Sequence, residues 1–353
     1  MGKWREFRDG AIYATIGYPL PMRRLFNEAR IRHVIGHGFA SLGSARPDIR
    51  LHYAPELTCS RDCIIVRRPG GFDMGISAAE SATNWFEAAH HGGAYLYWLS
   101  RCPPDVERIS VTLSDGDLPT EARFAPSSNN TAIIPLPDPY YFANHGFARW
   151  RQLAETSSLT WAERSDDIVW RGATTGMGSS DPKLAADHPH LATDRLRLTL
   201  ALRGLAGTDV RFSKVVVPSM SERYLGRYGL VAAPLPEESW AGRKFAFDVD
   251  GNTNTWSNLI IRLHLGCCVL KVAGSLGYRQ WYYDRLKPWE HYVPVSSDLS
   301  DLLERIEWVR GNDGEAAEIA RRGQALARSL SWESVEAEGA ALITADWELP
   351  QAA

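Results

Sequence analysis

The sequence lacks the features that mark several common classes of protein. No apolar run reaches the roughly 18 residues that a membrane span needs. A net charge of −3 and a pI of about 6.4 give no basic surface for nucleic acid or for an anionic membrane. The first ten residues carry charge but no apolar core, so we predict no secretory signal. These absences favour a cytoplasmic protein that has no integral membrane segment, although peripheral contact at the inner membrane face stays open.

Cysteine is also scarce, and its pattern argues against a structural metal. The five cysteines are an odd number, so they cannot all pair within the chain. Cys59 and Cys63 have the spacing of half a zinc site, but no second pair of suitable spacing follows. We therefore expect no zinc and a reducing environment.

The length of the chain predicts two domains. Single cores stop growing beyond roughly 250–300 residues, and the chain has 353. A helical pattern at 149–155 and the turn at 156–158 place a boundary near residue 160. We predict an acceptor-side domain over 1–160 and a nucleotide-binding domain over 161–330. The remaining segment, 331–353, is predicted to be a helix that packs back on the first domain.

Strand and helix patterns alternate along the chain, which predicts an α/β fold with parallel, doubly wound sheets. The alternation is clear in the second half and weaker in the first. Predicted strands cover 30–35, 64–66, 108–113, 132–136, 167–170, 210–217, 245–249, 268–272 and 291–295. Predicted helices cover 77–101, with an interruption at His90–Gly93, and 149–155, 193–202, 259–265, 298–309 and 315–330. The adjacent His90 and His91 point about 100° apart on a helix, so a joint catalytic role is not favoured.

Residues 244–272 form the most informative stretch. An alternating strand leads into the polar loop 250–255, and a helix and a short buried strand follow. Open α/β sheets bind ligands in loops at the carboxyl ends of their strands. Because this loop also begins a helix, its free N–H groups suit a phosphate. The stretch therefore predicts a site for an anionic ligand, and a nucleotide is the ligand that we expect.

Asp248 and Asp250 flank the start of this loop and should leave the strand on the same face. Such a pair can hold a divalent cation, but neutral donors and helix-start N–H groups can hold a pyrophosphate without metal. The loop has neither the lysine of a Walker loop nor the G-x-G-x-x-G spacing, so both of those sites are excluded.

Three other segments carry residues suited to chemistry. The turn at 114–119 follows a strand and contains Asp115 and Asp117, either of which can act as a general base. The segment 170–176 places Arg171 and small residues after a buried strand, an arrangement that can grip a phosphate. The aromatic and charged segment 281–292 is typical of a site rim or a domain interface. Each of these segments also has a purely structural interpretation, as a solvated turn, a surface arginine or core packing.

Together these residues resemble glycosyltransferase family 90, the CAP10-like group. That group includes protein O-glucosyltransferases, fungal capsule xylosyltransferases and bacterial lipopolysaccharide glycosyltransferases. The resemblance covers 170–176 and 244–330, where the sequence reads FDVDGNTNTWSN, VLKV, WYYDRLKPWEHYVPV, DLSDLLERIEWV and AAEIARRG. It implies a GT-B fold of two Rossmann-like domains facing across a cleft. It also implies inverting transfer from a UDP-sugar with no metal and no other cofactor.

The resemblance assigns roles to individual residues. Asp117, in Asp117-Leu118-Pro119, matches the family's catalytic base, although Gly116 stands where the family often has arginine. The expected nucleotide-sugar-binding residues are Arg171, Gly172, Thr174, Asp250, Gly251, Asn252, Thr253, Asn254, Thr255, Trp256, Ser257 and Asn258. Some members carry an arginine where Asn258 stands here, and Arg262 or Lys271 are candidates to supply that charge.

The resemblance leads us to expect transfer of glucose or xylose to a saccharide or lipid-linked saccharide, in lipopolysaccharide, capsule or exopolysaccharide synthesis. Two alternatives remain at this point. One is a metal-dependent phosphoryl or nucleotidyl transferase that uses one of the Asp-x-Asp pairs. The other is a carbohydrate-binding protein without catalytic activity.

Overall fold

Two β-sheets, each packed with helices, organise the chain. The computed structural model of the protein describes residues 20–77, 85–217 and 220–349. The chain divides into two compact units, Met1–His145 together with Trp332–Ala353, and Gly146–Ser331. Both are α/β, as predicted. Within the described ranges, no helix combines the length and the apolar character that crossing a membrane requires.

The first unit contains a mixed sheet in the order β1-β3-β2-β4-β5-β6. The strands are β1 (Asp48–Tyr53), β2 (Asp62–Arg68), β3 (Gly71–Ile76), β4 (Arg108–Thr112), β5 (Phe124–Ala125) and β6 (Ile134–Pro135). The helices are α1 (Leu20–Ser41), α2 (Trp85–Arg101), α3 (Pro139–Ala143) and α11 (Trp332–Trp347). β2 pairs antiparallel with β3 and β4, whereas the other pairs are parallel. This sheet is therefore mixed, where the sequence predicted a parallel one.

The last helix, α11, packs against α2 within the first unit. The Tyr97 hydroxyl donates to Glu336 Oε2 over 2.6 Å, and the Trp332 ring lies 5.6 Å from that of Trp98. Trp332 also stacks on Tyr141 with an interplanar angle of 4°. An aromatic cluster thus joins the end of the chain to the helix beside the first sheet.

Two further predictions for the first unit are wrong. The expected strand at 30–35 lies inside α1, because Ile31, Ile35 and Phe39 recur every four residues and form one buried helical face. The expected break at His90–Gly93 is absent, since α2 continues through it. A Cβ at Gly92 would lie 2.5 Å from Met74 Cε, so the glycine lets the helix approach the sheet closely. The predicted start of this helix, at 77–84, falls largely outside the described residues.

The second unit contains a wholly parallel sheet in the order β11-β10-β9-β7-β8. The strands are β7 (Ser165–Ala173), β8 (Thr208–Lys214), β9 (Arg243–Asp248), β10 (Cys268–Val272) and β11 (Val293–Val295). The helices are α4 (Ala148–Thr156), α5 (Pro182–Asp187), α6 (Asp194–Ala201), α7 (Glu222–Gly226), α8 (Ser257–His264), α9 (Leu302–Gly311) and α10 (Asp313–Ser329). This is the doubly wound, Rossmann-like arrangement that the sequence predicted.

The strand order of the second sheet determines where a ligand can bind. The chain runs outward in one direction from β7 to β8, and in the other from β9 through β10 to β11. The switch point therefore lies between β7 and β9, where the loops that follow these strands diverge. The two loops are those that the sequence selected, after Ala173 and after Asp248.

Helices cover both faces of this sheet. Phe245 and Phe247 of β9 belong to one apolar cluster with residues of α6 and α9. Their alternate neighbours, such as Ala246, face the other way, where α8 buries Leu259 and Leu263. As predicted, Thr193 caps α6, and its hydroxyl accepts from Leu196 N over 3.2 Å.

Candidate functional site

The switch point brings two of the predicted segments together. The backbone N–H of Gly176, after β7, donates to Asn252 Oδ1 in the loop after β9 over 3.0 Å. A Cβ at Gly176 would lie 3.0 Å from Thr193 Cβ, so a small residue fits there. The segments 171–176 and 250–258 therefore border one site at the carboxyl edge of the second sheet.

A buried cluster of three charges lies beneath this site. Asp248 and Lys271 are register partners on β9 and β10, and the Lys271 ammonium donates to Asp248 Oδ2 over 2.9 Å. The same ammonium lies 3.7 Å from Asp250 Oδ1. The two carboxylates therefore share a face, as predicted, and the charge between them is an ammonium of the protein itself.

The cluster perturbs the pKa values of its members. Desolvation alone would lower the pKa of Lys271, but attraction by Asp250 and Asp248 and the hydrogen bond to Asp248 raise it overall. Burial raises the pKa of Asp250 to about 6, against the opposing effect of Lys271. Lys271 is therefore a permanent cation at neutral pH, and Asp250 is mainly ionised.

The cluster also fixes the start of α8. Asn258 Nδ2 donates to Asp248 Oδ1 over 3.0 Å, so the helix is tied to the end of β9. Lys271 Nζ lies 5.0 Å from the centre of the Tyr283 ring, which brings in the aromatic segment 281–292. Of the two cations considered for the charge at the helix start, Lys271 lies in this cluster. Arg262 instead packs 3.4 Å above the Trp240 ring.

Arg195, which the sequence reasoning missed, holds the loop in place. Its Nε donates to Asp250 O over 3.0 Å, and its Nη1 donates to Thr175 Oγ1 over 2.6 Å. A Cβ at Gly251 would lie 3.0 Å from Arg195 Nη2, so the loop approaches the guanidinium at a glycine. Burial lowers the pKa of Arg195 to about 10, which leaves it charged at neutral pH. Little in the sequence marks Arg195 as a site residue, because it is simply an arginine that follows a helix cap.

The guanidinium of Arg171 is hydrogen-bonded within the fold. Its guanidinium donates to Asp209 Oδ2 over 2.6 Å, Asp209 O over 2.8 Å, Trp170 O over 2.9 Å and Ala233 O over 3.1 Å. Three of these bonds join β7 to β8 and to the segment after α7, and the fourth lies within β7. A contact between Arg171 and a nucleotide stays a prediction.

Gly172 and Thr174 also have structural partners. A Cβ at Gly172 would lie 2.3 Å from the Trp170 ring, so the glycine is needed for the indole to fold back along its own strand. Thr174 is buried, and its hydroxyl accepts from Val216 N over 3.0 Å. Both residues shape the end of β7 beside the site.

The loop after β9 contains an unusual number of buried polar atoms without partners. Among the described residues, the side-chain atoms that form no hydrogen bond within the protein include Thr253 Oγ1, Asn254 Nδ2 and Thr255 Oγ1, and Asp250 Oδ1, which has only the ionic contact with Lys271 at 3.7 Å. All four residues are at most 7% exposed. Buried polar groups are nearly always satisfied in folded proteins, so this concentration indicates a place where a polar ligand or solvent binds.

The backbone of the loop is strained where it enters α8. Trp256 has φ 52° and ψ −117°, a backbone conformation that residues other than glycine rarely adopt. Its N–H donates to Asn254 Oδ1 over 3.0 Å. Such strain typically costs about 1–3 kcal/mol and is concentrated at functional sites. Ser257 then begins the helix directly after this residue.

The predicted base lies in the first unit, on the turn after β4. Gly116, in the middle of the turn, has φ 94°, and a Cβ there would lie 2.2 Å from Ser127 O. That position therefore requires glycine and excludes the arginine that the resemblance leads us to expect. Asp117 is partly exposed, and the preceding Asp115 Oδ1 lies 3.8 Å from Nε2 of the buried His91.

Asp115 and His91 both have perturbed pKa values. Desolvation of its carboxyl, followed by repulsion from Asp117 and Glu87, raises the pKa of Asp115 to about 7. Burial holds the pKa of His91 well below its usual range, so this imidazole is neutral. His91 Nδ1 is another buried atom that has no partner among the described residues. From the sequence alone, His91 is set aside because His90 and His91 point about 100° apart on a helix. The contact of His91 with Asp115 joins residues of different elements, which the sequence does not place together.

No group of three or more His, Cys, Asp and Glu side chains that could hold a metal ion occurs in the part of the chain that the structure describes. The site in the second unit instead combines a buried ammonium, a buried guanidinium and a polar loop at the start of a helix. Such a set of donors suits an anionic ligand that also carries hydroxyl groups.

The chain is similar in sequence to the members of one protein family. The model of the family described as Glycosyl transferase family 90 matches residues 148–345. Uncharacterized protein 179R of Invertebrate iridescent virus 6 is 31% identical over 196 residues, which cover 50% of this chain and 16% of that protein. Human protein O-glucosyltransferase 3 is 51% identical over 87 residues, 25% of this chain and 17% of that protein.

The chain spans less than a fifth of the length of the first curated relatives that it matches. Among solved structures, HepE of Anabaena in complex with UDP-glucose is 10% identical, with a TM-score of 0.34. That similarity covers 57% of this chain and 52% of the other. At such a score it supports no argument about the site.

The buried cluster predicts that Lys271→Met lowers the free energy of unfolding by about 3–5 kcal/mol, because it leaves the fully buried Asp248 uncompensated. Adding Asp248→Asn should recover part of this loss. Urea denaturation measures both effects. The control is Lys287→Met, at a lysine whose side chain is 64% exposed, which should cost at most about 1 kcal/mol. A small effect of Lys271→Met, or no recovery in the double variant, would contradict the proposed charge balance.

The raised pKa of Asp115 predicts that the stability of the folded protein depends on pH. Its pKa rises from 3.8 to about 7 on folding, so the protonated carboxyl stabilises the fold. This contribution is complete below pH 3.8 and is lost as the pH rises through about 7. Asp115→Asn should therefore raise the thermal midpoint at pH 8 more than at pH 5. The control Asp105→Asn, on an exposed turn, should act equally at both pH values. Equal effects of the two substitutions would refute the assignment.

Proposed function

We propose that this chain, which belongs to glycosyl transferase family 90, is a glycosyltransferase whose donor is a UDP-sugar bound at the loop 250–258. The reaction that we propose is inverting transfer to a hydroxyl of a saccharide acceptor. The observation that carries the donor proposal is the concentration of buried, unpartnered polar atoms in this loop, at the switch point of a parallel sheet.

The surroundings of the loop support a nucleoside diphosphate as the ligand. The loop leads into the first turn of α8, where backbone N–H groups and the helix dipole favour an anion. Arg195 is charged and lies beside Gly251, so a cation is close to the same backbone. When the sugar departs, these groups would stabilise the developing negative charge on the diphosphate.

The proposed reaction needs no metal ion. In many transferases an Asp-x-Asp pair binds a divalent cation that neutralises the diphosphate. Here the ammonium of Lys271 already lies between these carboxylates, 2.9 Å from Asp248 and 3.7 Å from Asp250. A dication added between them would meet this fixed positive charge.

On the acceptor side, we propose that Asp117 removes the proton from the attacking hydroxyl. Its partial exposure would let an acceptor reach it, and inversion requires a single base of this kind. Asp115 and the neutral His91 would contribute by setting the charge around the turn. The attacking oxygen would form the new glycosidic bond as the bond from the sugar to the diphosphate breaks, with the acceptor's proton on Asp117.

Glucose is the sugar that we favour, with xylose second, since several curated relatives are named protein O-glucosyltransferases. For the acceptor we propose a saccharide or lipid-linked saccharide of a lipopolysaccharide, capsule or exopolysaccharide. Incubation with UDP-glucose and UDP-xylose, followed by detection of released UDP, would distinguish the two sugars.

The central test compares variants of the two units. Asp117→Asn should lower kcat by about 10²–10⁴-fold while UDP still binds, because a general base acts only in the chemical step. Arg195→Gln should weaken UDP binding at least tenfold, and Arg195→Lys should weaken it less. UDP affinity is measured by calorimetry and turnover by UDP release, both in EDTA. Asp105→Asn serves as the control and should behave as the wild type does.

Three outcomes would redirect the assignment. Near-normal turnover by Asp117→Asn would show that another group is the base. Loss of activity in EDTA with recovery in Mn²⁺ would favour the metal-dependent transferase. Sugar binding without any turnover of nucleotide sugars would favour a carbohydrate-binding protein.

A further inference from the structure

The turn after β4 in the first unit carries charge of one sign. Residues 114–121 contain no basic side chain and three carboxylates, those of Asp115, Asp117 and Glu121. The first unit has a single lysine, Lys3, which lies outside the described residues. The proposed base, Asp117, therefore lies in an acidic turn.

Neighbouring elements add little positive charge to this acidic turn. Glu87 of α2 is close enough to repel Asp115, whereas Arg61, which precedes β2, attracts it. Arg123, the next basic residue along the chain, pairs instead with Asp346 of α11. Negative charge therefore outweighs positive charge around the carboxyl of Asp115.

Three buried polar atoms of the first unit form no hydrogen bond among the described residues at this end of the sheet. They are His91 Nδ1 and the hydroxyl oxygens of Tyr95 and Ser127. The three residues are at most 3% exposed. Buried polar groups are nearly always satisfied in folded proteins, so this concentration indicates that a polar ligand or solvent binds at this place.

The contacts of these residues place them against the acidic turn. His91 Nε2 lies 3.8 Å from Asp115 Oδ1, and its imidazole is neutral, so it supplies no positive charge. A Cβ at Gly116, in the middle of the turn, would lie 2.2 Å from Ser127 O. Tyr95 follows His91 by one turn of α2 and lies within electrostatic reach of Asp115. Charge and unpartnered polar atoms thus indicate the same binding place independently.

The charge of the turn discriminates between classes of saccharide. Asp115 and Asp117 are partly exposed, so a ligand can contact their carboxyl groups. A carboxylate oxygen accepts a hydrogen bond from a hydroxyl or an ammonium group. An ammonium group would also favour the ionised form of Asp115. A carboxylate or phosphate on the ligand would instead meet like charge in a partly buried site, which is unfavourable.

We propose that Asp115 determines the charge class of the acceptor: the sugar that Asp117 activates is neutral or carries an amine, and a sugar with a carboxylate or phosphate is rejected. The inference rests on the proposed function, because it takes the turn after β4 as the acceptor side. It goes further by naming the class of saccharide and the residue that selects it. Asp115 acts in binding, whereas Asp117 acts on the proton of the attacking hydroxyl.

The experiment uses three methyl glucosides that differ only at carbon 6, which bears an amine, a hydroxyl or a carboxylate. Their affinities for the full chain are measured at pH 7, in the presence of UDP, by saturation-transfer difference NMR. The proteins are the wild type, Asp115→Asn, Glu87→Gln and the control Asp105→Asn. The control makes the same change of charge on the exposed turn before β4, in the same unit. Thermal unfolding checks that each variant is folded.

The wild type and the control should bind the amine about tenfold or more tightly than the carboxylate, with the neutral glucoside between them. Asp115→Asn should lower this ratio about tenfold, because it removes a charge that attracts one ligand and repels the other. Glu87→Gln should lower it by a smaller factor, and it stays informative if Asp115→Asn perturbs the turn. A purely structural role of Asp115 would leave the ratio unchanged.

Three results would overturn the inference while leaving the donor site intact. They are equal affinities of the wild type for all three sugars, a ratio that Asp115→Asn does not change, and no binding of any of the three. UDP binding is measured in parallel by calorimetry. If the wild type binds no UDP, the proposed function itself is wrong, and the assignment of the acceptor falls with it.

Discussion

The site in the second unit depends on a buried cation between two carboxylates. Asp248 and Lys271 face each other at the ends of neighbouring parallel strands, and Asp250 extends the same face by two residues. A buried charge without a partner is strongly destabilising, so each member requires the others. The helix start, through Asn258, and the aromatic segment, through Tyr283, are attached to the same cluster. The loop between β9 and α8 is therefore held in place at both of its ends.

A second cation fixes the middle of the loop. Arg195 reaches from the first turn of α6 to the backbone of Asp250 and to the hydroxyl of Thr175, and so links the segments after β7 and β9. Between these anchors the loop holds buried polar atoms without partners and a strained residue, Trp256. Unpaired atoms and strain both cost free energy, and they are tolerated where the surrounding structure is rigid. A ligand that satisfies the polar atoms would recover part of that cost.

Much of the second unit could be predicted from sequence, and the reasons are local. The strand, loop and helix over 244–272 have clear periodicity and turn residues, and Thr193 is a typical helix cap. In the first unit, Arg30 to Ile35 resembles a strand because a short apolar segment has no decisive period. The glycines of α2 resemble a helix end, although the helix continues through them and Gly92 packs against Met74 of the sheet.

The partners of charged side chains could not be predicted in the same way. Arg171 has the sequence context of a phosphate ligand, but its guanidinium is bonded to Asp209 on the next strand. The residues next to Arg195 and Lys271 in the sequence do not suggest a site. Both side chains nevertheless lie at the loop, because strand order and register bring distant residues together. The sequence identified the loop from its composition, whereas the charges around it follow from the topology of the sheet.

The most direct test of this account is hydrogen–deuterium exchange of the whole chain with and without UDP-glucose, in EDTA. We expect the ligand to slow exchange in peptides that cover 249–258 and 174–177, because it would bind the loop and join it to the segment after β7. Unchanged exchange in both peptides at a saturating ligand concentration, or protection confined to peptides outside the second sheet's carboxyl edge, would contradict the placement of the donor site.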